Sequence, residues 1–219
     1  IIFHGSPFVT NSLLRFKKNQ RYVLFDFETE GLNLVGSRPW QLAWLVAEGE
    51  NIVAEHDRFL SFDDLNVSEG AAAITGFNEQ AYRSKAEDPD KVIRDFLNDI
   101  MREDTLILGH NILGFDVYIL NSLCNSLGIE LDPSYIDRCI DTLSLAKAIH
   151  LNLEYNNNTT FIEWQYKLCN FHKRGLKVSM QKLLEKYDIY HTEGMLHNAV
   201  YDINMNFKIF RKQLWEIEV

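Results

Sequence analysis

Any fold open to this chain must bring carboxylates to the ends of apolar segments, because its most distinctive acids sit inside apolar words. Asp26 and Glu28 stand in FDFETEGL at 25–32, Asp116 in GHNILGFD at 109–116, and His197 and Asp202 in HNAVYD at 197–202. Carboxylates gathered at strand ends and helix starts are costly to bury near one another unless cations neutralise them. Four acids and one histidine in such settings point to a metal site if the fold unites the three words.

The first word reads as a strand over about 21–28, with Val23, Phe25 and Phe27 alternating against Leu24, Asp26 and Glu28. Two apart on a strand, Asp26 and Glu28 leave the same face about 7 Å apart, a span that two metal ions can bridge. Further strands at about 40–47 and 51–60 are joined by Glu48-Gly49-Glu50, a link of hairpin length. Asp88-Pro89 starts a helix whose apolar positions Val92, Ile93, Phe96, Leu97 and Ile100 recur at helical spacing. A short strand from Thr105 to Leu108 runs into a helix at about 115–127 that stops at Gly128. A strand near 135–140 then meets Asp141-Thr142-Leu143 and a helix to about 150. Residues 151–177, rich in Asn, read as an inserted loop with one short helix at 160–169, and helices near 179–187 and 199–215 follow. His197 and Asp202 converge only if His197 lies just before the last helix, for which Asn198 is the expected N-cap. The order predicts one α/β domain over 21–219, a mixed sheet flanked by helices, after an N-terminal extension at 1–20.

With 219 residues, 46% of them hydrophobic, the chain can bury a sizeable core. Runs such as VYIL and LILG are far too short for a membrane span, and the N-terminus lacks the form of a signal peptide, so a cytoplasmic, unsecreted protein is expected. No Met precedes Ile1, which implies processing or excision from a longer polypeptide. Cys124, Cys139 and Cys169 are odd in number and widely spaced, as reduced buried thiols would be. A net charge of −9 excludes binding of nucleic acid through a general positive field, so any such contact must be local. Segment 164–186 offers one: Lys167, Lys173, Arg174, Lys177, Lys182 and Lys186 interleave with Trp164, Tyr166 and Phe171, a pattern that suits single strands and equally a solvated helix face over core aromatics.

In order and in wording, the three acidic words resemble the three motifs of the DEDDh 3′→5′ exonucleases, the DnaQ-like group that includes proofreading subunits and RNase T. The resemblance spans about residues 21–215, and Gln41-Leu42-Ala43, Ile74-Thr75-Gly76 and Asp141-Thr142-Leu143 echo it. The sister DEDDy branch would place Tyr where this chain has Asn198. Three departures stand out: Glu30 where members usually carry Thr, Met195-Leu196 where many carry Arg, and the long segment 151–177.

The resemblance implies a ribonuclease H-like fold, a mixed five-stranded sheet flanked by helices, that releases nucleoside monophosphates stepwise from a 3′ end. It implies that Asp26, Glu28 and Asp202 hold one Mg²⁺ or Mn²⁺, that Asp26 shares a second with the scissile phosphate, and that Asp116 acts largely through water. His197 is then the general base, since imidazole titrates nearest neutrality of all side chains. Thr29, Leu32, Asn111 and Phe115 would seat the terminal nucleotide. Single-stranded DNA is favoured over RNA as substrate, with a polymerase or replication assembly as partner, a cytoplasmic or nucleoid-associated location, and no membrane. The competing readings are an RNA 3′-trimming exonuclease, a catalytically silent nucleic-acid-binding module of the same fold, and an endonuclease, against which the HNAVYD spacing speaks.

Overall fold

In the computed structural model, which describes residues 19–217 except 35, 157 and 193, the alternating first word becomes the central strand β1 (Arg21–Thr29). The N-terminal extension expected at 1–20 lies, up to residue 18, outside the described residues. β1 pairs antiparallel with β2 (Pro39–Glu48), and β2 with β3 (Asn51–Phe59). Gly49, at φ 60°, supplies the positive φ that the tight β2–β3 turn requires. On the other side β1 pairs parallel with β4 (Thr105–Gly109), and β4 with β5 (Cys139–Asp141), giving the strand order β3-β2-β1-β4-β5. Between β3 and β4 lie α1 (Glu69–Thr75), α2 (Glu79–Lys85) and α3 (Pro89–Ile100), and after β4 comes α4 (Asp116–Leu127). Beyond β5 follow α5 (Thr142–Leu151), α6 (Phe161–Cys169), α7 (Met180–Lys186) and α8 (Ala199–Gln213).

The strand faces divide the core. Val23, Phe25 and Phe27 face Phe96 and Ile100 of α3 and Leu120 and Cys124 of α4, with the Phe25 and Phe96 rings 4.9 Å apart and edge-on. Tyr22 and Leu24 point the other way, toward Ile203, Phe207 and Phe210 of α8. Each such side chain, once fully buried, contributes about 1.5–3 kcal/mol. Asp26 and Glu28 continue the α8 face of β1, which is why the start of α8 can meet them. All three cysteines are buried and free, as expected. Among the described residues no helix is long and apolar enough to cross a membrane.

Three local features differ from the sequence expectations. The strand expected near 135–140 is a 3₁₀ turn over Pro133–Arg138 followed by a strand of three residues, because β4 offers only Ile107, Leu108 and Gly109 for pairing. Asp132 starts that turn by accepting the Ser134 N–H at 2.9 Å. The short helices α1 and α2 were not anticipated; Ser68 and Asn78 cap them, and at seven residues each they are too brief to print a period in the sequence. The helix inside 151–177 forms as α6, opened by a reciprocal Thr160–Glu163 capping box, yet it is integral to the sheet. Fully buried Gln165 accepts the Asp141 N–H at 2.7 Å and donates to the Cys139 carbonyl at 3.0 Å, so one side chain stands in for a sixth strand on the β5 edge.

Candidate active site

β1 outruns its parallel neighbour. Its register with β4 ends at Leu24 and Leu108, while pairing with β2 continues to Thr29, so the last residues of β1 border an open crevice at the strand ends. On that open side the Phe27 N–H donates to Asp116 Oδ1 at 3.1 Å. A carboxylate thus replaces the missing strand partner, and Asp116, 3% exposed in the first turn of α4, is fixed against β1.

The 109–115 loop sets that position. A Cβ on Gly109 would lie 2.6 Å from the Cβ of Ile112, so the chain can double back this closely only over a glycine. Asn111 takes φ 66°, and the N–H groups of Asn111 and Leu113 each donate to Asp141 at 3.1 Å. Asp141 also accepts from Leu143 at 2.9 Å and Ser144 at 3.2 Å, capping α5. One fully buried carboxylate therefore ties the loop to the next helix through four N–H groups. Burial pushes its pKa up and those N–H groups pull it back in part.

Asp202 arrives from the opposite layer. Asn198 caps α8 by accepting the Tyr201 N–H at 3.0 Å, as expected, which leaves Asp202 in the first turn. His197, just outside the helix at φ 70°, donates its backbone N–H to Asp202 Oδ2 at 3.0 Å, and the residue is exposed.

The four acids feel one another. Burial raises the Asp26 pKa well above the usual range, and the charges of Asp116, Glu28 and Asp202 raise it further. Burial and then Asp202 and Asp116 push Glu28 up to about 8. Asp116 is pushed up to about 7 by burial, against the pull of the Phe27 N–H. Asp202 is pushed up to about 6 by burial, against the His197 N–H. Like charges held this way ask for cations.

Two observations bear on whether the residues suit a divalent ion. Asp202 Oδ1 is buried and has no hydrogen-bond partner among the described residues, as a carboxylate oxygen reserved for a ligand would be. The donors are all carboxylate oxygens, the hard set that Mg²⁺ and Mn²⁺ prefer. Among the described residues no group of three or more His, Cys, Asp or Glu side chains is placed so that it could hold a metal ion. In chemistry the donor set fits the ion.

The residues expected at the terminal nucleotide fall into two kinds. Leu32 is 88% exposed on the loop after β1, and Asn111 is half-buried, its Oδ1 3.6 Å from Cys169 Sγ. Thr29 turns its buried hydroxyl onto the Gly31 carbonyl, and half-buried Phe115 leans partly on the core. In the basic and aromatic stretch 164–186, Trp164 and Tyr166 follow the second of its two readings, core aromatics under a helix face. The Trp164 ring stacks on Phe161 at 5.7 Å and Tyr166 packs on the core. Lys182 and Lys186 pair with Glu185 and Glu216. Lys167, Lys173, Arg174, Lys177 and Phe171 remain exposed. The sequence did not reveal Gln165 or Arg38 as architectural residues; for Asp141 the Asp141-Thr142-Leu143 echo was a signal without a role.

Comparison with known proteins now bears on this crevice. A family model described as Exonuclease, of the RNase T group, matches residues 23–210. The PolC-type DNA polymerase III of Bacillus subtilis (strain 168) is 27% identical over 216 residues, 98% of this chain and 13% of that protein. Its counterpart in Pediococcus pentosaceus is 27% identical over 176 residues, 79% of this chain and 12% of the relative. The chain thus spans 12–13% of the length of these curated relatives. Among solved structures, ligand-free exonuclease I aligns with TM-score 0.69 at 18% identity, over 90% of this chain and 42% of that one. E. coli exonuclease I in complex with a dT13 oligonucleotide aligns with TM-score 0.69 at 19% identity, over 89% and 40%. These likenesses establish the ribonuclease H-like fold that the resemblance implied, and a family model running from β1 into α8, across every element that carries an acid of the crevice, places the chain in the exonuclease family.

Proposed function

We propose that the chain is a metal-dependent 3′→5′ exonuclease of the DEDDh type, releasing nucleoside monophosphates from single-stranded 3′ ends. The observation that carries the reading is that buried Asp26 feels the charges of Asp116, Glu28 and Asp202, while the His197 backbone N–H is bonded to Asp202. Asp26, Glu28 and Asp202 would hold one Mg²⁺ or Mn²⁺ and Asp26 a second, with Asp116 acting through water. When bound, such ions supply Lewis-acid activation of water and neutralise charge at the departing 3′ oxygen. His197 takes a proton from the attacking water, its exposed ring free to move while its backbone stays tied to Asp202. Thr29, Leu32, Asn111 and Phe115 seat the terminal nucleotide, and Lys173, Arg174 and Lys177 offer the strand behind it a local positive rail.

DNA is favoured over RNA, and the similarity to PolC-type polymerases suggests work beside a polymerase or replication assembly, in the cytoplasm or at the nucleoid. The exonuclease unit is taken as residues 21–219, with 151–177 as its insertion. A 5′-labelled oligo-dT should shorten to a ladder from its 3′ end with Mg²⁺ or Mn²⁺ and stay intact with EDTA. Cleavage that ignores chelation, or yields internal fragments first, removes this reading. Binding of the oligonucleotide without cleavage under either ion installs the silent-module reading in its place.

A further inference from the structure

The loop that carries Leu32 is anchored by a charge cluster with no part in the catalytic crevice. Glu30 spends both carboxylate oxygens on it. Oε2 accepts from the Arg38 backbone N–H at 3.0 Å and from Arg38 Nε at 3.1 Å, while Oε1 accepts from Arg38 Nη2 at 2.8 Å and from the Asn66 N–H. Arg38 reaches on to the side chain and carbonyl of Asp64, and its guanidinium lies over the Phe62 ring at 5.6 Å. The backbones repeat the tie: the Glu30 N–H donates to the Arg38 carbonyl at 3.0 Å, and the Ser68 N–H to the Glu30 carbonyl at 3.3 Å. The result is a closed base under residues 31–37, laced to the 62–68 segment.

Above that base, Leu32 has almost nothing to hold it. It is 88% exposed, and a leucine without packing is positioned only by the backbone beneath. Inside the loop, the Asn33 N–H donates to Ser37 Oγ at 3.1 Å and the Ser37 N–H to the Asn33 carbonyl at 2.9 Å, so the tip is tied as well. Exposed ion pairs seldom matter, but the Glu30 side chain is only 12% exposed and its pair with Arg38 is bidentate and backed by two backbone donors, a geometry that fixes direction. Glu30 is also a position at which the chain departs from the sequences it resembles.

We infer that Glu30 is a positioning residue for substrate: with Arg38 it pre-orders the backbone after β1 so that Leu32 stands ready against the 3′-terminal base. The inference rests on the proposed exonuclease reading and on the role given there to Leu32. Pre-ordering removes an entropy cost otherwise met when the strand binds, so the clamp acts on binding and leaves the chemical step alone.

The test is steady-state cleavage of 5′-labelled oligo-dT under saturating Mg²⁺, with melting curves to hold each variant well below its transition. Glu30→Ala should raise KM about three- to tenfold with kcat little changed, the worth of ordering one or two side chains. Glu30→Gln, which keeps one acceptor oxygen and so can answer one of the two backbone donors, should recover part of that loss. Arg38→Met opens the clamp from the other side and should show the same split, which covers the case in which Glu30→Ala does not fold. Leu32→Ala should raise KM too, and Glu30→Ala/Leu32→Ala should be no worse than Leu32→Ala alone. If Leu32→Ala raises KM while Glu30→Ala and Arg38→Met leave it unchanged, the clamp is overturned and the reading of Leu32 survives. Additive effects, or a fall in kcat at constant KM, also overturn it. An active enzyme indifferent to Leu32→Ala removes the role of Leu32 and the clamp with it, while a protein that never cleaves oligo-dT removes the exonuclease reading itself.

Discussion

Two residues of the crevice have an architectural part beside the chemical one proposed for them, and substitutions can separate the two. His197 holds φ 70°, a conformation that costs a β-carbon-bearing residue about 1 kcal/mol and that Asn tolerates better than most. Both His197→Asn and His197→Ala should lower turnover about 10²- to 10⁴-fold if the imidazole is the base. The Ala variant should also melt earlier, by about 0.5–1 kcal/mol of stability relative to Asn. Near-normal turnover in either would remove His197 as base. Asp116 invites the same comparison, because its Oδ1 answers the Phe27 N–H. Asp116→Asn keeps an acceptor and should retain stability while losing activity. Asp116→Ala strands a buried N–H and should cost about 1–3 kcal/mol besides, read by thermal melting and by faster exchange of the Phe27 amide. Equal stability of the two would show that the bond contributes nothing.

At the scale of elements, the 109–115 loop transmits order from Asp141 to Asp116. A methyl group placed on Gly109 meets the branch point of Ile112, which cannot swing aside as a side-chain end could. Gly109→Ala should therefore destabilise by about 1–3 kcal/mol and reduce cleavage beyond what the fraction folded explains, since the displaced loop carries Asp116. An unchanged melting temperature with full activity would mean that the loop gives way freely. Elements whose logic is local could be read in advance. β1 announces itself by alternation and α8 by Asn198 and its apolar face, but that Asp26, Glu28 and Asp202 share one crevice was implied by the resemblance of the three acidic words and not by these local patterns. What stayed hidden depends on partners far apart in the chain and free of any period. Gln165 pairs with a strand edge 24 residues before it, and Asp141 binds N–H groups 28 and 30 residues away. For Trp164 and Tyr166 the sequence left a stacking surface and core aromatics as equal readings, because composition gives their number but not the direction in which α6 turns them.

For the whole molecule, the crevice couples folding to protons and, on the proposed function, to cations. In the metal-free protein Glu28 rises from 4.5 to about 8, Asp116 from 3.8 to about 7 and Asp202 from 3.8 to about 6. These groups hold protons more tightly folded than unfolded, so what they contribute is fully present below about pH 4 and is lost as pH climbs through 6 to 8. The melting temperature in EDTA should accordingly fall between pH 6 and pH 8, the reverse of what a salt-bridged carboxylate would give. A divalent cation competes with those protons for the same oxygens, so it should bind more tightly as pH rises and remove the fall. At a concentration about 100 times its Kd, the cation adds about 2.7 kcal/mol, or about 5–10 °C for a chain of this size. Glu28→Gln should flatten the EDTA curve at its upper end and blunt the response to Mn²⁺, because it removes both the proton site and one ligand. A melting temperature constant from pH 6 to 8 and indifferent to Mg²⁺ and Mn²⁺ would mean that the four carboxylates are too far apart, or too well solvated, to act as one site.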